Sequence, residues 1–157
     1  MSIAAMKEGK LGNFKDVCLQ THNQYRAKHG APPLKWSKDC TAHAEKWAKH
    51  LAKTKKFEHS QQSGLGENLA CFVRSSEVAG NEPVDMWYEE IKNYNFNKGT
   101  FTPGTGHFTQ VVWRESTELG VAIAKGKNNY TVVVANYKPA GNMMGKFKEN
   151  VSPPSSS

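Results

Sequence analysis

"LGVAIAKGKNNYTVVVANYK", Leu119 to Lys138, places two runs rich in valine, alanine and isoleucine on either side of Gly126-Lys127-Asn128-Asn129. Branched side chains suit a pleated surface, and glycine and asparagine tolerate the backbone of a tight reversal. The stretch therefore predicts an antiparallel hairpin. Upstream, "GENLACFV" at 66–73 predicts a further short strand. Between them, Phe108, Val111 and Val112 in "GHFTQVVWRES" recur at helical spacing, so His107 opens a short helix.

Further upstream the period is helical. Phe14, Val17, Cys18, Thr21 and Tyr25 share one face of a helix from Asn13 to about His29, with Asn13 and Asp16 resembling a capping pair and Gly30 and Pro32-Pro33 ending it. A second helix begins after Ser37, its stripe drawn through Trp36, Cys40, Ala44, Trp47, Ala48 and Leu51. A third opens at Pro83 and runs through Tyr94, with Val84, Trp87, Tyr88 and Ile91 inward. Helical segments on both sides of the strand segments predict a sheet sandwiched by helices. The tail "SPPSSS" is expected to be disordered.

The 157 residues fit one domain, and 38% hydrophobic with 22% charged residues is an ordinary globular composition. No apolar run approaches the roughly 20 residues of a spanning helix. The apolar run Ile3–Met6 is too short for a secretory signal, and Ser2 replaces the glycine of an N-myristoylation motif. As given, the chain is expected to be cytosolic; secretion would require a signal already removed. Cys18, Cys40 and Cys71 are odd in number, lack metal-like spacing and predict free buried thiols.

A net charge of +7 favours acidic partners. The lysines of "KWAKHLAKTKK", Lys46, Lys49, Lys53, Lys55 and Lys56, form a basic face suited to anionic headgroups, although a solvated helix face is the commoner meaning of such a run. Tyr94, Phe96 and Phe101 punctuate a polar, glycine-containing loop. They either meet a lipid or a partner, or fold back onto the core, and sequence allows both. Their spacing also fits a caveolin-binding pattern.

Standard catalytic signatures such as HExxH, GxSxG and a Walker-type loop are missing. Two histidines and two acids remain as candidates: His59, Glu67, Glu90 and His107. Glu90 lies about 60° from Trp87 around the third helix, at the edge of its apolar stripe, whereas Glu89 points away. Two imidazoles and a carboxylate would suit Zn2+ or another divalent metal if the fold gathered them. Spacing alone favours the plainer meaning, four hydrogen-bonded structural residues. His22, Asn23 and Arg26 in "HNQYR" are expected to anchor loops, and His43 and His50 to be solvated among lysines.

"HNQYR", "GENL", "GHFTQVVW" and "VVVANYKPAGNMM" occur in the order typical of the CAP superfamily of cysteine-rich secretory, antigen 5 and pathogenesis-related group 1 proteins, and the match spans residues 13–143. "EIKNYNF", "GTGHFT" and "PAGN" resemble its intracellular, Golgi-associated branch. The resemblance implies an α+β fold: a three-layer α-β-α sandwich, with a central, mostly antiparallel sheet in a single domain at 13–148. A flexible arm at 1–12 and a disordered tail at 149–157 flank it. It further implies a cleft holding His59, Glu67, Glu90 and His107, with the histidines as metal ligands. Ala135 replaces a cysteine of secreted members, which supports a reducing compartment.

Three functions compete on this basis. The leading one is a non-enzymatic module binding anionic phospholipid or sterol membranes, with no nucleic-acid partner expected. The second is a metal-dependent hydrolase using Glu67 or Glu90 as general base. The third is a homodimeric or caveolin-type interaction scaffold.

Overall fold

β3 (Glu118–Lys125) and β4 (Tyr130–Lys138) pair antiparallel, with Glu118 opposite Lys138 and Lys125 opposite Thr131. Asn128 and Asn129 have φ of 61° and 63°, the two left-handed residues that a type I′ turn demands. β2 (Gly66–Val73) lies antiparallel on the other side of β4, and the two-residue β1 (Lys35–Trp36) runs parallel to β3, giving the order β1-β3-β4-β2. The computed structural model describes residues 13–62 and 64–155, so the arm predicted at 1–12 lies outside the described residues.

Alternation along the strands divides the core in two. Leu69, Ala122, Val132 and Val134 pack against Ala44, Ala48 and Leu51 of α2 (Lys38–Thr54). Ala70, Val121, Val133, Ala135 and Tyr137 face the other way. They meet Cys18 of α1 (Phe14–Lys28), Val84 and Trp87 of α3 (Asn81–Glu89), and Phe108, Val111 and Val112 of α4 (Gly106–Val112). With helices on both faces, the architecture is the expected α-β-α sandwich. α2 sits very close to the sheet: a Cβ on Gly120 would fall 2.0 Å from the Thr41 nitrogen.

Several details differ from expectation. Trp36 is not part of the α2 stripe but stands in β1, 38% exposed. Lys35 and Ser37 donate their N–H groups to Thr117 and Leu119, which holds the chain extended until Ser37 caps α2 by accepting from the Cys40 N–H. Asn13 makes no side-chain cap at α1. α3 begins two residues before Pro83 and tightens into a 3-10 turn at Glu90–Asn93.

The domain also runs past residue 148. α5 (Phe147–Asn150) is followed by a buried Val151, the Ser152 carbonyl accepts from His29 Nδ1, and the Ser155 N–H donates to Lys28. One buried apolar side chain and two hydrogen bonds thus hold residues 151–155, part of a stretch whose Ser/Pro composition predicts disorder. Cys18 and Cys40 are buried and Cys71 half-buried, all as free thiols.

Candidate functional site

Glu67 is the second residue of β2 and sits in register with Asn136 of β4. Its carboxylate collects four donors: His59 Nδ1 at 3.0 Å and the Ser60 N–H at 2.8 Å on Oε1, and the Ser60 hydroxyl at 2.7 Å and Asn136 Nδ2 at 3.1 Å on Oε2. Asn136 Oδ1 in turn accepts from His43 Nδ1 at 2.8 Å. Burial works to raise the Glu67 pKa, but the donors from His59, Ser60 and Asn136 outweigh it and hold it at about 2. The hydrogen bond to this carboxylate pushes the His59 pKa up, against partial desolvation.

Two open depressions meet here. One, of about 280 Å³, is lined by His59, Ser60, Gln61, Gln62, Leu65 and Glu67. The other, of about 270 Å³, is lined by His43, Lys46, Trp47, His50, Ser60 and Gln62. His43 is therefore not a solvated surface residue; the signal available in sequence was Asn136, a polar residue directly after the apolar run Val132–Ala135.

Glu90 and His107 form the second pair. Thr105 precedes α4 but turns its hydroxyl to the Thr102 carbonyl and makes no cap, so the helix needs another acceptor. Glu90 supplies it: Oε1 accepts the N–H groups of His107 at 2.9 Å and Phe108 at 3.0 Å, and Oε2 accepts from His107 Nδ1 at 2.8 Å. The His107 ring lies nearly parallel to Trp87, with centroids 6.3 Å apart.

Asn68, the neighbour of Glu67, links this pair to the core. Its amide donates to the His107 carbonyl at 3.1 Å and to the Tyr137 hydroxyl at 3.2 Å. His22 Nδ1 donates to the Cys18 carbonyl, so its Nε2 accepts the Tyr137 O–H at 2.6 Å. Complete burial, with a smaller contribution from Arg26, lowers the His22 pKa to about 4, a neutral ring that suits the acceptor role. Asn23 exchanges two hydrogen bonds with Leu34.

The four candidate residues thus form two His–Glu pairs at the start of β2, with Asn68 between them. Among the described residues no hydrogen bond joins one pair to the other, and no three His, Cys, Asp or Glu side chains converge as a metal cage. Each imidazole nevertheless commits its Nδ1–H to a carboxylate, and among the described residues no hydrogen bond engages either Nε2. A carboxylate on Nδ1 orients a ring and fixes the tautomer that ligates, so each imidazole by itself has the donor chemistry of a zinc ligand.

The aromatic loop resolves against a shared exposed surface. Tyr94 is buried at 6% exposure and packs on Phe96 and Phe108, and Phe96 is half-buried on the same cluster. Of the three, only Phe101 is exposed. The three rings are thus unequally exposed, Tyr94 least and Phe101 most.

The basic face also divides. Lys46 lines the depression beside His43, whereas Lys49, Lys53 and Lys55 surround a separate groove and Lys56 lines none of the three cavities. Among the described residues no helix is long and apolar enough to cross a membrane.

A three-layer sandwich whose sheet edge carries paired histidines and glutamates defines a CAP domain. The chain belongs to this family, the cysteine-rich secretory protein family, whose model matches residues 19–137. It is 46% identical over 146 residues to Golgi-associated plant pathogenesis-related protein 1 of Homo sapiens, covering 90% of this chain and 94% of that one. It is 38% identical over 128 residues to pathogenesis-related protein 1 of Arabidopsis thaliana, covering 82% and 78%. A crystal structure of NaASP2 with Zn2+ superposes with a TM-score of 0.61 at 30% identity, covering 87% of this chain and 84% of that one.

Proposed function

We propose that the protein is a binding module that docks on anionic membrane surfaces through its lysine-rich end. The observation that carries this is Lys49, Lys53, Lys55, Lys125 and Lys127 around one groove with no carboxylate in its lining, on a chain of net charge +7. A near-surface lysine is worth about 1 kcal/mol against an anionic leaflet, so several acting together suffice for reversible docking. The Golgi association in the human relative's name agrees with a peripheral membrane role.

Liposome flotation is the test. Binding is expected to rise with the anionic lipid fraction and to vanish as the screening length falls from about 30 Å at 0.01 M salt to about 3 Å at 1 M. Failure to float at low salt, or flotation indifferent to salt, would refute the assignment.

The two His–Glu pairs favour a second reading, a divalent-metal site on His59 and His107. The free Nε2 atoms favour it, as does the relative crystallised with zinc. Both carboxylates then act as orienting groups. Glu67, already accepting four hydrogen bonds and held at about 2, is a weak proton acceptor and a poor general base. Calorimetric zinc titration of tag-free protein should show an affinity lost in His59→Ala/His107→Ala and weakened about tenfold or more in Glu67→Gln. A double variant that binds zinc like the parent would remove this site.

A further inference from the structure

The groove at the far end of α2 is built by two elements distant in sequence. α2 ends at Thr54, and Lys55 adopts φ 60° with its N–H on the Leu51 carbonyl at 2.8 Å, so the chain turns sharply there. The β3–β4 tip reaches the same place. A Cβ on Gly126 would stand 2.4 Å from the Ala52 carbonyl oxygen, so only glycine lets the hairpin approach the helix end this closely.

The result is a groove of about 510 Å³ lined by five lysines, with Ala52, Ala124 and Gly126 as its only other lining residues. Lys125 is paired with the exposed Glu77. Lys49, Lys53, Lys55 and Lys127 form no salt bridge among the described residues, and Lys55 Nζ lies 5.7 Å from the Tyr130 ring centroid. Like charges gathered in a concavity repel one another, and a dense anion relieves that repulsion. Lysine recognises phosphate as a point charge without demanding planar geometry, and the volume falls in the ordinary range of ligand sites.

We propose that this groove is a site for a multiply phosphorylated group, with two or more phosphates on one small scaffold, held by lysines of α2 and of the β3–β4 tip together. It deepens, and rests on, the membrane-surface reading above, by naming the site and the chemistry that the lysine-rich end selects. The same chemistry occurs in phosphorylated lipid headgroups and in free polyphosphates.

The test pairs soluble and membrane probes. Inorganic tripolyphosphate is titrated calorimetrically into the parent, into the groove variant Lys53→Gln/Lys127→Gln, and into the control Lys46→Gln/Lys56→Gln, which removes equal charge outside the groove. All four positions are exposed, and matching unfolding midpoints verify that the variants fold. The groove variant is expected to lose about tenfold or more in affinity while the control stays near the parent. Equal losses in both variants, or no binding to the parent, overturn the site.

Flotation on phosphatidylcholine vesicles carrying either phosphatidylinositol bisphosphate or phosphatidylserine then separates the sources. A preference for bisphosphate that disappears in the groove variant assigns the site to a lipid headgroup. Tripolyphosphate binding without vesicle binding assigns it to a free polyphosphate and defeats the membrane reading alone. Vesicle binding that ignores both headgroup and groove variant defeats the groove and leaves the membrane reading standing.

Discussion

Replacing Arg26 by lysine is expected to lower stability by about 3–5 kcal/mol, measured by urea unfolding, although charge is conserved. Arg26 is fully buried and donates to four carbonyls: Pro32 through Nε at 2.8 Å, Val111 and Trp113 through Nη1 at 3.0 and 2.8 Å, and Ser116 through Nη2 at 2.8 Å. One guanidinium thereby ties the turn after α1 to the last residues of α4 and the loop beyond. An ammonium has three donors on one atom and cannot span acceptors spread along a planar fork, so carbonyls are left buried without partners. Arg26→Ala should cost at least as much and add a cavity. A loss under about 1 kcal/mol in either variant would mean that water or a rearranged loop takes over these bonds.

Glu90→Ala should cost about 2–3 kcal/mol, because it strips the acceptor from two N–H groups in the first turn of α4 and from the His107 ring at once. Glu90→Gln, which keeps an acceptor oxygen but loses the charge facing the helix dipole, should cost about 1 kcal/mol. Amide hydrogen exchange at His107 and Phe108 should accelerate in the alanine variant. The neighbouring Glu89→Ala removes only an exposed contact with Lys92 and should stay within about 0.5 kcal/mol of the parent. Similar losses at 89 and 90 would refute the capping role.

The contrast between Glu89 and Glu90 shows what a sequence can disclose. Helical phase alone separates a carboxylate at the border of an apolar stripe from one in solvent, and the structure puts Glu90 on His107 and leaves Glu89 outside. The hairpin and the main helices were legible for the same reason, since their signals are local. What was not legible depends on partners far away in the chain. His43 shares its helix with lysines and looks solvated until Asn136, 93 residues on, is laid beside it. Tyr94 and Phe96 look like loop aromatics until Phe108 arrives to cover them. The lysine-lined groove is only partly visible from "KWAKHLAKTKK", because Lys125 and Lys127 come from the distant β3–β4 tip. Val151 likewise decides the fate of a tail whose composition says otherwise.

The missing side chain at Gly120 has a mechanical meaning. It lets α2 rest directly on β3 near Thr41, and Gly126 allows the same close approach beside Ala52, so the helix is seated at two points along its length. Its 17 residues extend about 25 Å, with His43 near the first support and Lys49 and Lys53 near the second. A single methyl group inserted at either support would push the helix off the hairpin beneath it. Two absent carbon atoms thus fix the level at which the lysines of the helix and those of the hairpin face one another.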